Sequence, residues 1–87
     1  MTGRANSIAE IYAILTAVAH KLPGENVTDA RELLDHDEWG EALSLICTQI
    51  YEYEVAIDLR LFERIQRIGK QIELSPSEWE LLRELVV

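Results

Sequence analysis

Residues 32–58 read ELLDHDEWGEALSLICTQIYEYEVAID, and their spacing sets the fold class. Trp39, Leu43, Ile46 and Ile50 stand at i, i+4, i+7 and i+11, the interval that puts side chains on one stripe of an α-helix. Ala42 and Tyr53 fall on the same stripe, and Cys47 lies at its edge. The pattern predicts a helix over 38–53 with this stripe in the core. Asp37 is placed to cap it, with Asp35 as the alternative. Glu41, Leu45, Thr48 and Glu52 fall on the opposite face, where Leu45 is the one apolar residue and is expected to point outward. Gly40 weakens the first turn by about 1 kcal/mol relative to Ala. Close packing of another backbone against it is the expected reason for its presence. Asp35-His36-Asp37 reads as a turn. Glu54-Val55-Ala56-Ile57 is too short and too β-branched to prolong the helix. It reads as an extended link in which Val55 and Ile57 pin the chain to the core.

Helical signals continue on both sides. Upstream, Met1–Asn6 is polar and expected to fray. Ser7 and Glu10 have the form of a capping box, opening a helix that reaches His20 or Lys21 before Pro23-Gly24 ends it. Ile8, Ile11, Leu15, Val18 and Leu22 mark its apolar face, with Tyr12, Ile14 and Ala19 beside them. Thr28 caps a short second helix over 29–34, anchored by Leu33 and Leu34. Downstream, Asp58 caps a helix to about residue 72, with Leu61 or Phe62, Ile65, Ile68 and Ile72 inward. Arg60, Arg64, Arg67 and Lys70 follow a separate track, and Gly69 permits a close crossing or marks a bend. Ser75-Pro76-Ser77-Glu78 combines a cap, a proline at the first helical position and a closing carboxylate. It opens a fifth helix with Trp79, Leu82 and Val86 on one face. The expected architecture is one all-α domain over 1–87, a small bundle of four to five short helices.

The 87 residues carry a net charge of −8 and one cysteine. A lone cysteine forms no internal disulfide and fits a reducing compartment. No apolar run approaches the roughly 20 residues of a membrane span, and the N-terminus lacks the pattern of a secretory signal. The expected location is the cytoplasm. The acidity argues against direct binding of nucleic acid or of an anionic membrane. His20 and His36 have no nucleophile at dyad spacing, and the glycines form no phosphate-cradling loop. Asp35, His36 and Asp37 are consecutive, so they do not converge easily on one ion. Glu52 and Glu54 are not helix neighbours and make no acid/base pair. The expectation is no catalytic residue, no metal, no cofactor and no small-molecule substrate.

Charge is unevenly distributed. Glu25 through Asp58 hold ten carboxylates against the single cation Arg31. One reading is a solvated face that keeps a small protein soluble. The other is an anionic docking surface with Tyr51, Tyr53 and Leu45 as anchors. Tyr53 fits the core equally well. The basic track of Arg60, Arg64, Arg67 and Lys70 is suited to phosphate, but the net field opposes this. Balancing of the acidic helices within the chain, or a secondary contact in a complex, is favoured.

Leu34, the run Glu38-Trp39-Gly40-Glu41-Ala42-Leu43, Cys47 and Tyr51-Glu52-Tyr53-Glu54 are followed by an ending that reads SPSEWELLREL over 75–85. Together they resemble the MafI-type immunity proteins of bacterial polymorphic toxin systems, similar in role to those of contact-dependent growth inhibition. The resemblance covers residues 32–87. It implies a small cytoplasmic, non-enzymatic protein that neutralises the C-terminal toxin domain of a large effector, commonly a nuclease and often a ribonuclease. It places Trp39 and Gly40 at a structural helix start, and leaves the stretch from Tyr51 to Glu54 as structural or toxin-contacting. The chain departs from the family at Val55-Ala56-Ile57-Asp58, where Asp-Ile-Pro-Ile is expected, so the link conformation stays open. The candidate toxin-binding residues are Glu32, Asp35, Asp37, Glu38, Glu41, Leu45, Tyr51, Glu52, Glu54 and Asp58. They would plug the toxin's basic active site or block it from beside. The alternatives are a generic acidic helical adaptor or regulatory interaction domain, a nucleic-acid-associated regulator using the basic track, and a minimal enzyme.

Overall fold

The computed structural model describes residues 3–87, with side chains from Asn6 onward. Four α-helices, α1 (Gly3–Val18), α2 (Gly24–Asp35), α3 (Trp39–Glu52) and α4 (Leu59–Gln71), precede two 3₁₀ segments, Pro76–Glu78 and Glu80–Leu85. A further 3₁₀ turn, Ala19–Lys21, prolongs α1. The protein is a small all-α bundle. Its one β feature among the described residues is a parallel bridge between Ile57 and Val86. Among those residues no helix is long and apolar enough to cross a membrane.

The α3 stripe enters the core as its spacing requires. Ala42, Leu43, Ile46, Cys47 and Ile50 are buried against Ile11, Ile14, Leu15 and Val18 of α1, and Phe62, Ile65 and Ile68 of α4. Val27, Ala30 and Leu34 bring in α2. Both ends of the stripe depart from expectation. Trp39 is only half-buried, because it opens the helix at the rim of the core. Tyr53 is 51% exposed, because α3 stops at Glu52 and the chain turns there. The tryptophan at the centre is Trp79.

Three helix ends share one device. Asp37, Glu54 and Glu73 have φ of 62°, 49° and 61°, the left-handed region that glycine favours. At each, the next residue's N–H reaches back to the third-last helical carbonyl: Glu38 to Leu33 (2.8 Å), Val55 to Ile50 (3.0 Å) and Leu74 to Gly69 (2.8 Å). The left-handed residues donate to Leu34, Tyr51 and Lys70. These are Schellman motifs. A left-handed residue cannot also be a helix N-cap, which needs an extended backbone. The N-cap position of α3 therefore falls on Glu38, with no side-chain cap bond, rather than on Asp37 or Asp35.

Other capping expectations are displaced, some by tertiary bonds and some by local ones. Met1 and Thr2, at the start of the segment expected to fray, lie outside the described residues, and α1 begins at Gly3 rather than Ser7. Ser7 is buried and accepts a hydrogen bond from Gln71 (3.4 Å). Glu10 pairs with Arg64 on α4 (2.8 Å). Helix α2 begins at Gly24 behind Pro23, and the Thr28 hydroxyl donates back to the Gly24 carbonyl inside it (3.1 Å). Ser75 makes no side-chain cap bond, and the expected fifth helix is 3₁₀. A 3₁₀ segment covers about 2.0 Å per residue against 1.5 Å for α. That length carries the chain from Trp79 to the bridge, where Ile57 donates to Leu85 (3.1 Å) and accepts from Val87 (2.9 Å).

Two local expectations hold. Asp58 caps α4, its carboxylate accepting the Leu61 N–H at 2.7 Å. Val55 and Ile57 are buried and pin the link, whose first residue, Glu54, is left-handed rather than extended.

Candidate functional site

Of the two interior glycines, Gly40 departs from expectation and Gly69 takes the first of its two readings, the close crossing. A Cβ at Gly40 would meet nothing within 4 Å beyond its own helical turn, so no other element among the described residues packs closely against it. A Cβ at Gly69 would lie 2.7 Å from Trp79 Cδ1 and 2.8 Å from Nε1. Gly69 is the close crossing, and it admits the indole that anchors the C-terminal segment.

Gly40 instead floors an open groove of about 700 Å³ lined by Leu33, Glu41, Ser44, Leu45, Thr48 and Leu74. Leu45 does not simply point outward, since its half-buried side chain forms one wall. Leu33 comes from the end of α2 and Leu74 from just beyond α4. The groove thus lies where two helix C-termini arrive, each the negative pole of its macrodipole. Glu78 closes one side by accepting the Ser44 hydroxyl at 2.6 Å. Beneath it, burial pushes the Cys47 thiol up to about 12, with the Glu78 charge adding to the shift. Cys47 is a core thiol whose burial favours the protonated form.

The candidate acidic residues separate into distinct places. Glu32 and Asp35 are exposed on the last turns of α2. Asp35 accepts the Tyr12 hydroxyl, a bond that raises the Tyr12 pKa. Asp37 and Glu38 form the exposed turn into α3, and Glu41 lines the groove. His36 is occupied by this turn, its Nδ1 lying 2.9 Å from the Glu32 carbonyl. Tyr51, 40% exposed, lines a second depression of about 490 Å³ with Glu52, Glu54, Glu84 and Leu85. Asp58 belongs to neither group. It lies beside His20, Lys21, Arg60 and Arg64 in a cleft of about 280 Å³ between α1 and α4.

No family model, curated protein or solved structure matches the chain.

The basic track is partly committed inside the molecule. Arg64 donates to both Glu10 oxygens (2.8 and 3.3 Å), which raises its pKa. The Lys70 ammonium lies 5.9 Å from the Trp79 ring centroid, within cation–π range. Sequence reasoning missed Leu33 and Leu74 as groove walls, and Glu84 and Leu85 in the second depression. Leu33 reads equally as a core anchor. Leu74 has a faint signal: the Schellman residue it would pack on is Gly69, which has no side chain. Among the described residues, Glu41 is the one carboxylate that lines the groove, beside the C-terminal ends of α2 and α4.

Proposed function

We propose that this chain is an immunity protein of a polymorphic toxin or contact-dependent growth inhibition system. It acts in the cytoplasm on the C-terminal toxin domain of a cognate effector, a nuclease and by preference a ribonuclease. The supporting observation is the α3 surface, where the apolar groove at Gly40 and Leu45 lies among exposed carboxylates. A nuclease must attract polyphosphate, so its substrate cleft is rich in Lys, Arg or His. An anionic helical surface occupies such a cleft and offers nothing to cleave. Carboxylates form charge-assisted hydrogen bonds to its cations, and Leu45 and Tyr51 exclude water from the contact. Complementary fields speed encounter, and the packed centre slows release.

Co-expression with the toxin domain encoded beside this gene, followed by size-exclusion chromatography of the pair, tests the reading. Growth rescue and co-elution are expected. Glu41→Lys with Glu52→Lys weakens the complex and flattens its salt dependence. Exposed substitutions of this kind move stability by less than about 0.5 kcal/mol. Toxin that still kills its host in the presence of the wild-type chain overturns the proposal.

A further inference from the structure

We infer that the groove floored by Gly40 receives an apolar side chain of the toxin domain, flanked there by a Lys or Arg. This deepens the immunity reading and rests on it. Gly40 sits in the first turn of α3, where glycine is less favourable than Ala by about 1 kcal/mol. Its φ is not positive, and beyond its chain neighbours and its own helical turn no atom of the described residues comes within 4 Å of the place of its missing Cβ. Gly69, in the last turn of α4, has an internal reason in Trp79. Gly40 has none among the described residues. What its small size provides is space: no Cβ stands at this position among the Leu33, Leu45 and Leu74 side chains that line the groove with it.

The chemistry of the rim selects the occupant. Helices α2 and α4 end at the groove, bringing in Leu33 and Leu74, and α4 is closed by a carboxylate residue in left-handed conformation, Glu73. A carboxylate at a helix C-terminus adds to the negative pole instead of offsetting it. Glu41 supplies a further charge in the wall. An apolar side chain next to a cation satisfies both floor and rim. A second copy of this chain does not, because it would bring a net charge of −8 to an electronegative trough.

The test titrates the purified, catalytically inactivated toxin domain encoded beside this gene against the full chain and its variants by calorimetry. Gly40→Leu fills the groove from a position where the new Cβ meets no neighbour within 4 Å, and leucine favours the helix. Its thermal midpoint is expected at or above that of the wild type, while affinity falls roughly tenfold or more, as when an interface centre is blocked. Thr48→Arg, on the exposed side of the groove, gives the same loss of binding and serves should Gly40→Leu not fold. Thr16→Leu, an exposed α1 position outside the groove, leaves affinity unchanged. Wild-type binding with undiminished affinity in folded Gly40→Leu or in Thr48→Arg overturns the groove inference alone. No binding by the wild type overturns the immunity reading and the groove with it.

Discussion

Gly69→Ala and Gly40→Ala add the same methyl group to two helices, and the structure requires opposite outcomes. At Gly69 the new Cβ would stand 2.7 Å from Trp79 Cδ1 and 2.8 Å from Nε1, well inside the contact distance of about 3.5–4.0 Å. The obstacle is a rigid ring, not a flexible chain end. Trp79 is 2% exposed, and Phe62 meets it edge-on with centroids 6.4 Å apart. Overpacking of a filled core costs about 1–3 kcal/mol, and a buried aromatic places this case in the upper half. Helix propensity returns about 1 kcal/mol. The net loss is about 1–2 kcal/mol. At Gly40 nothing opposes the propensity gain, so Ala stabilises by about 0.5–1 kcal/mol. For a domain of this size, 1 kcal/mol moves the melting temperature by about 4–8 °C. The two variants should melt roughly 10–20 °C apart, with the wild type between them. Far-UV circular dichroism melts at one pH and protein concentration measure this directly. A Gly69→Ala protein as stable as wild type, or a Gly40→Ala protein that melts well below it, would refute the assignment of close packing.

Trp79→Ala should lose about 3–5 kcal/mol, enough to unfold much of the population at 25 °C, while Trp39→Ala, at the half-exposed start of α3, should lose clearly less in urea denaturation. Glu54→Gly and Glu73→Gly remove side chains from left-handed backbone, and each should raise the urea midpoint by the equivalent of about 1 kcal/mol. The Cys47 thiol should resist thiol reagents at pH 8 in the native state and react once the protein is unfolded. Its folded pKa is raised to about 12, so the stability it contributes is whole below the ordinary thiol range near 8.5. That stability is lost as pH rises from there towards about 12. Cys47→Ala should flatten this alkaline limb of the stability profile, and an unchanged limb would show that Cys47 does not cause it.

The candidate surface was legible as a tendency and not as a geometry. Its acidity and the isolated Leu45 are plain in the sequence, because charge and hydropathy belong to individual residues. The grouping is not. Glu41 shares a groove with Leu33 and Leu74, Glu52 shares another depression with Glu84, and Asp58 faces a basic cleft. These neighbours come from separate elements, and no spacing within one helix announces them.

The same division runs through the fold. By itself the sequence determined the all-α class, the α3 core stripe, the Asp58 cap and the pinned link at Val55 and Ile57. Each depends on residues a few positions apart, within the reach of helical periodicity and capping. Tertiary structure decided which glycine is crowded and which tryptophan is central. It also took the polar groups of two apparent capping boxes for long-range bonds: Glu10 to Arg64, 54 residues away, Ser7 to Gln71, 64 away, and Glu78 to Ser44, 34 away. A hydroxyl or carboxylate near a helix start can serve the local backbone or a distant side chain. Only the packing of α1 on α4, and of the C-terminal segment on α3, brings the distant partner close enough to be chosen.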